Sequence, residues 1–306
     1  LSAKDRGEKL AVFDVGTNTV LYLIMARGAG GELAVEEEGV APTRLGEGVA
    51  AGKDPSAAIA RTVEALASFV ERARRRGATA YRVVGTEVLR RGRWRKDFLA
   101  AVATRLGLAV EILSPREEGE LALLAARRSL AFGPAPLTAV DVGGGSAQLA
   151  RESPAGPEVE SYAVGCVVVT EKYLTGEPSA AAWEEARGYL LKEIAAVRAA
   201  AGEVVITGGT ATTLAALALR MAEYDAARVH GYVLAAAEVA ARAEEVYYLP
   251  LPGRRALVGM PAARADVFPA GALALAELLH RLRAERATVS AQGVRFGVAY
   301  RYFDAD

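Results

Sequence analysis

Short apolar runs rich in Val, Ile and Leu recur along the chain at residues 10–13, 20–26, 32–37, 81–84, 108–113, 137–140, 148–151, 159–164, 204–207 and 287–290. Their length and the turn residues around them predict strands. A different spacing separates them. Ile59, Val63, Leu66, Val70 and Ala73 fall on one helical face, and Gly77 follows as a C-cap. Helical patterns also cover residues 94–106, stopping at Gly107, and residues 117–130, 180–200 and 212–223, with a terminal helix after the last strand. Strands alternating with helices predict an α/β protein with mainly parallel sheets covered by helices.

The order of elements occurs twice. The run at 10–13 ends in Asp14-Val15-Gly16-Thr17-Asn18-Thr19, and two strand-like runs follow, separated by a turn containing Gly28 and Gly31. The run at 137–140 ends in Asp141-Val142-Gly143-Gly144-Gly145-Ser146, followed again by strand, turn and strand. A repeat this long reads as a duplicated domain rather than a solenoid. The hairpins after each Asp-Val-Gly loop make both sheets mixed. Gly133, Pro134 and Pro136 break a helix, which puts the boundary between an N-terminal domain at 1–132 and a C-terminal domain at 133–306. The last helix is free to pack back on the first domain.

Composition narrows the chemistry. The 306 residues are 52% hydrophobic and 24% charged, as in globular proteins. Lys plus Arg equals Asp plus Glu at 37 each, so no global field favours DNA or a membrane surface, and any anion site is local. The lone Cys166 reads as a small buried apolar residue and fits a reducing cytoplasm. The start of the chain is polar, without an apolar signal core, and the alanine-rich runs are interrupted by Glu and Arg, so no segment reads as a membrane span. Two histidines and one cysteine nearly exclude a zinc site of nitrogen and sulfur ligands, whereas an oxygen-ligand magnesium site stays open.

Gly143-Gly144-Gly145-Ser146 after a strand is the strongest local signal. Glycines let backbone N–H groups approach a phosphate, and the serine adds a donor. Read alone it is also a flexible hairpin turn. The matching loop at Asp14, Thr17, Asn18 and Thr19 favours the phosphate reading, because two facing loops grip an anion from both sides. Neither loop is a Walker loop or a dinucleotide fingerprint. Thr207-Gly208-Gly209-Thr210 reads equally as an anion site at a helix start or as a strand-to-helix loop with a threonine cap. Arg116-Glu117-Glu118-Gly119-Glu120 reads as acidic residues at the positive end of a helix, or as the carboxylate that orients a hydrolytic water. The basic run from Arg90 to Lys96 is a solvated face from which one arginine can reach a phosphate chain. His230 and His280 read as structural.

The ordered set of motifs resembles the exopolyphosphatase/guanosine pentaphosphate phosphohydrolase family over nearly the whole chain. Asp14 to Thr19 is similar to its first loop, Thr86 to Arg90 to its Thr-x-x-x-Arg segment, Ser114-Pro115-Arg116-Glu117-Glu118 to its Ser-Gly-Glu-Glu-Glu segment, and Asp141 to Ser146 to its Asp-Ile-Gly-Gly-Gly-Ser loop. Thr207 to Thr212, His230-Gly231, Arg264-Ala265-Asp266 with Gly271, and Ser290, Gly293, Arg295 and Gly297 match later landmarks. The resemblance implies two RNase H-like domains of the actin-like ATPase fold with the active site in the cleft between them. It implies Glu118 as catalytic base and Asp141 as magnesium and water partner, with Asp14 and Gln148 also at the metal. Thr17, Asn18, Thr19, Arg90, Gly143, Gly144, Gly145, Ser146, Gly208, Gly209 and Thr210 are implied as phosphate holders. It further implies Mg²⁺ or Mn²⁺, polyphosphate or a guanosine polyphosphate as ligand, a cytoplasmic homodimer, and release of terminal orthophosphate from polyphosphate. The alternatives it carries are a pppGpp 5′-phosphohydrolase and a catalytically weakened (p)ppGpp- or polyphosphate-binding regulator. Four positions depart from the pattern: Gln148 replaces a Glu, Trp94 an Asn, Phe296 a Glu and Pro115 a Gly.

Overall fold

The computed structural model describes residues 7–48 and 52–305; most of the polar start of the chain lies outside them. The chain divides into two units, one of Leu1–Leu121 with Val294–Asp306 and one of Ala122–Gly293. The division falls inside a helix, earlier than the break at Gly133, Pro134 and Pro136. The reason is packing: Leu121 clusters with Val84, Leu113 and Val294, whereas Leu123 and Ala126 join Leu137, Ala139 and Ala150.

The first unit contains β1 (Lys9–Val15), β2 (Val20–Arg27), β3 (Leu33–Ala41), α1 (Ser56–Arg75), β4 (Ala80–Gly85), α2 (Glu87–Arg91), α3 (Arg95–Leu106), β5 (Val110–Ile112) and the start of α4 (Pro115–Ser129). Its sheet runs β3-β2-β1-β4-β5. The first three strands form an antiparallel meander, and β4 and β5 add in parallel. Leu66, Phe69, Val70 and Ala73 form the buried stripe of α1. Phe69 stacks on Tyr22 of β2 at 4.9 Å, and Tyr22 on Phe13 of β1 at 5.6 Å. Such aromatic pairs add about 0.5–1.5 kcal/mol beyond the area they bury. Gly77 ends α1 with φ +76, a left-handed position that glycine takes without strain.

The second unit contains β6 (Leu137–Val142), β7 (Ala147–Arg151), β8 (Glu158–Tyr162), α5 (Cys166–Tyr173), α6 (Ala180–Glu193), β9 (Glu203–Thr207), α7 (Gly208–Ala218), α8 (Ala226–Val229), β10 (Val233–Ala235), α9 (Ala236–Tyr248), α10 (Leu251–Ala256), α11 (Phe268–Arg281) and β11 (Arg286–Val289). The final helix, α12 (Val294–Asp304), packs on β1 and β2 of the first unit. The second sheet runs β10-β11-β9-β6-β7-β8. Strand for strand, β8-β7-β6-β9-β11 repeats β3-β2-β1-β4-β5, with the short β10 added antiparallel at the edge. This duplicated layout is the RNase H-like, actin-like ATPase fold. Helix α11 is buried along nearly its whole length and packs against α5, α6, α7 and α9.

Two helices differ from expectation. Helix α6 stops at Glu193 instead of reaching 200. Helix α7 begins at Gly208, so the Gly-Gly-Thr segment is its first turn rather than a loop ahead of it. The β-branched stretch Val167-Val168-Val169-Thr170 is helical. Tertiary hydrogen bonds at the start of α5 override the strand preference of such a run. Among the described residues no helix is long and apolar enough to cross a membrane.

Candidate active site

In the second unit, Asp141 is the penultimate residue of β6, opposite Gln148 of β7 and beside Thr207 of β9. The Gly143 N–H donates to the Ser146 carbonyl at 2.9 Å, which shuts the hairpin. The carbonyls of Gly143 and Gly144 accept from the amides of Cys166 and Val167, each at 2.9 Å, and Gly144 also from Val168 at 3.3 Å. These are first-turn amides of α5, which a helix otherwise leaves without partners. Gly165 makes the contact possible: a Cβ there would lie 2.3 Å from the Gly144 oxygen and the Gly145 carbonyl carbon. With the carbonyls held by α5, the amides of Gly144, Gly145 and Ser146 donate to no group among the described residues. A run of such amides in a turn has the chemistry of an anion-binding nest.

The Asp141 carboxylate lies beside this nest. Its pKa is pushed up to about 6 by burial alone, with no opposing cation or donor. Gly208, at φ +86, opens α7 against it, and a Cβ there would stand 2.4 Å from Asp141 Oδ1. Only glycine satisfies both the angle and the contact. Gly209 faces the Arg264 guanidinium, whose atoms lie 2.1–2.2 Å from where a Cβ would be. Burial pushes the Arg264 pKa down, and Cys166 and Asp266 oppose that in part. The sequence marked Arg264 only as a landmark and gave it no role. Thr210 turns its buried hydroxyl, which has no hydrogen-bond partner among the described residues, towards Gly271 of α11 inside the unit. His230 is structural, its Nε2 3.1 Å from the Ser129 carbonyl and its Nδ1 accepting from the Ala291 amide.

The first unit builds a matching loop. The Gly16 amide donates to the Thr19 carbonyl at 3.0 Å. The Thr17 and Asn18 carbonyls accept from Gly46 at 2.8 Å and Arg44 at 2.9 Å. The amides of Thr17, Asn18 and Thr19 are again not spent on backbone bonds. Asp14, Thr17 and Asn18 have buried side chains.

The same unit separates the adjacent glutamates of α4. The Ser114 amide donates to Glu117 Oε2 at 2.7 Å, and the Glu117 amide to Ser114 Oγ at 3.2 Å, a reciprocal capping box. Hydrogen bonding of its carboxylate by the Ser114 amide, and then by the Ser114 side chain, holds the Glu117 carboxyl below its usual range. Pro115 sits at the first helical position, where its missing N–H costs nothing. Glu118 is buried instead in the fork of Arg90: Nη1 donates to Oε1 at 2.8 Å and Nη2 to Oε2 at 3.3 Å. Arg90 Nη1 also donates to the Leu113 carbonyl at 2.6 Å. Three of its five N–H groups are thus engaged and two stay available for a phosphoryl oxygen.

A divalent cation suits the second unit's loop. Among the described residues no group of three His, Cys, Asp or Glu forms a cage. Magnesium does not require one, since it keeps water and substrate phosphate as ligands and takes one or two protein carboxylates. Asp141, desolvated and uncompensated beside the nest, is such a carboxylate. Gln148 offers less, because a neutral carbonyl oxygen is a weaker ligand for a hard cation than a carboxylate; its amide nitrogen donates to Ser146 Oγ at 2.8 Å and Ser161 Oγ at 3.2 Å.

Comparison with known proteins gives a consistent picture. Residues 24–305 match the model of the Ppx/GppA phosphatase family. The chain is 34% identical over 311 residues to Exopolyphosphatase 2 of Mycobacterium tuberculosis (strain ATCC 25618 / H37Rv), covering 95% of this chain and 97% of that one. A Ppx/GppA family member of Aquifex aeolicus superposes with a TM-score of 0.82 at 28% identity, covering 97% of this chain and 98% of that one. An exopolyphosphatase of Cytophaga hutchinsonii shares the fold, with a TM-score of 0.83 at 20% identity over 97% of this chain and 98% of that one.

Proposed function

The chain belongs to the Ppx/GppA phosphatase family, and from that premise we propose that it is an exopolyphosphatase, a hydrolase that releases terminal orthophosphate from inorganic polyphosphate. The observation that carries the reading is the uncompensated Asp141 carboxylate beside three unbonded loop amides. That pairing suits a cation–phosphate complex.

Water attacks the terminal phosphorus, the bridging P–O bond breaks, and the products are orthophosphate and a chain one unit shorter. The amides of Gly144, Gly145 and Ser146 hold phosphoryl oxygens, and the loop of Thr17, Asn18 and Thr19 supplies a second set of donors. Glu118 orients the attacking water. Its pairing with Arg90 suits orientation, and phosphoryl transfer asks mainly for positioning and charge stabilisation. Arg90 directs its remaining N–H groups to the substrate. Asp141, with Asp14 as an outer carboxylate, would hold Mg²⁺ or Mn²⁺, which would neutralise charge on the phosphoryl group. A cytoplasmic homodimer completes the proposal; the buried Cys166 thiol supports the compartment, and family resemblance supports the dimer.

Phosphate release from polyphosphate, pppGpp and ATP, measured side by side, tests the assignment. Polyphosphate is expected to be the preferred substrate, and Glu118→Gln to lose roughly 10²–10⁴-fold in rate. Preference for pppGpp would move the protein to the guanosine pentaphosphate side of the family. Tight binding with no turnover under Mg²⁺ or Mn²⁺ would make it a binding regulator. Undiminished turnover by Glu118→Gln would remove Glu118 from the chemistry.

A further inference from the structure

Gln148 stands in the middle of a three-strand ladder, directly opposite Asp141 on β6 and Ser161 on β8. Residues paired in this way share one face of the sheet, with Cβ atoms about 4.5–5.5 Å apart. The Gln148 side chain is buried, and its amide nitrogen donates to Ser146 Oγ at 2.8 Å and to Ser161 Oγ at 3.2 Å. Both amide hydrogens are therefore used. A hydroxyl that accepts one hydrogen bond keeps its own hydrogen for another acceptor. Ser146 belongs to the loop whose amides are unbonded, so its hydrogen joins the same donor set.

We propose that Gln148 is a positioning residue that sets Ser146 as a hydrogen-bond donor to a phosphoryl oxygen, and that it does not ligate the metal. The inference rests on the phosphohydrolase reading above. The chemistry of the amide gives it a second reason. A carboxylate at position 148 would only accept hydrogen bonds, so it would take the Ser146 hydrogen for itself. The amide, donating through its nitrogen, keeps the serine a donor. Ser161 is the second anchor. With a single bond the amide plane is free to turn about its broad terminal torsion, and with two it is fixed.

Calorimetric binding of imidodiphosphate, a P–N–P analogue that is not cleaved as a phosphoanhydride, in saturating Mg²⁺ tests the coupling. Ser146→Ala and Gln148→Leu are each expected to weaken binding about three- to tenfold, the span of one buried hydrogen bond. The double variant is expected to bind no worse than Ser146→Ala alone, because Gln148 acts only through that hydroxyl. Ser161→Ala is expected to cost less than Gln148→Leu and to be silent once Ser146 is removed; it carries the test if Gln148→Leu fails to fold. Mn²⁺ affinity, read by electron paramagnetic resonance without ligand, is expected to be unchanged by Gln148→Leu.

Additive losses in the cycle would mean general loosening and overturn the proposal. A tenfold fall in Mn²⁺ affinity would return Gln148 to the metal and overturn it as well. A silent Gln148→Leu beside a damaging Ser146→Ala sinks this inference alone. A wild type that binds no imidodiphosphate, or a silent Ser146→Ala, removes the phosphate-loop reading together with it.

Discussion

Asp141 works against the fold that carries it. Burial raises its pKa to about 6, and nothing opposes the shift. An aspartate raised on folding costs stability wherever it is ionised in the native state. The cost is therefore full above about pH 6 and disappears below the unfolded value near 4, where the carboxyl is protonated in both states. Asp141→Asn should raise the melting temperature at pH 7.5 in metal-free buffer, by about 1–3 kcal/mol of stability, while abolishing phosphate release. Thermal unfolding at pH 7.5 and pH 4 checks it, the gain being confined to the higher pH. A variant less stable than wild type at both pH values would show that the carboxylate has a partner after all. Adjacent carboxylates also show where sequence stops at this scale. Glu117 and Glu118 are equally acidic residues at a helix start, and only the fold reveals that Glu117 is spent on Ser114 while Glu118 meets Arg90. Arg264 was equally opaque, because nothing local to it indicates that its guanidinium covers Gly209.

At the scale of elements, each loop is made rigid by a segment later in the chain. Gly46 and Arg44 do this for the first loop, and the start of α5 does it for the second. The loops themselves were legible, since Asp-Val-Gly after an apolar run is local chemistry. Their supports were not, because nothing local to residues 166–170 shows that the first amides there donate to the carbonyls of Gly143 and Gly144. Gly165 is the hinge of this arrangement. Its φ of −65 suits any residue, so only the contact excludes a side chain. A methyl group 2.3 Å from the Gly144 oxygen has to displace backbone, not a flexible side chain. Gly165→Ala should therefore destabilise by about 1–3 kcal/mol, as overpacking does. It should also weaken imidodiphosphate binding beyond what that loss of stability explains. Gly209→Ala makes a useful contrast, because it meets the mobile end of Arg264. Its melting temperature should fall less. Equal falls for the two variants would argue against a backbone clash at Gly165.

The whole molecule was legible as a duplication, because the strand order of one sheet repeats in the other. Its acid limit was not, since that depends on which glutamates the fold pairs. Glu37 is partly desolvated, which alone would raise its pKa, but hydrogen bonds from Arg76 and Arg72 outweigh this and lower it. Glu152 is lowered by Arg127 first, and the Leu137 amide adds a bond at 2.9 Å. Glu117 is lowered by its cap. A glutamate lowered on folding contributes stability above its unfolded value, near 4.3, and that contribution is lost as pH falls through the native pKa. Asp141 has the opposite sign and acts between about pH 4 and pH 6. Stability should therefore hold or rise slightly from pH 7 to pH 5, then fall steeply below about pH 4. Glu152→Gln isolates one contribution. The pair is partly solvent-exposed, with 30% of each side chain accessible, so screening keeps its worth near 1 kcal/mol. The variant should melt lower than wild type at pH 7, and the two curves should converge in acid, where wild-type Glu152 is protonated as well. Curves that stay parallel down to pH 3 would mean that the charge on Glu152 contributes nothing and that only its shape matters.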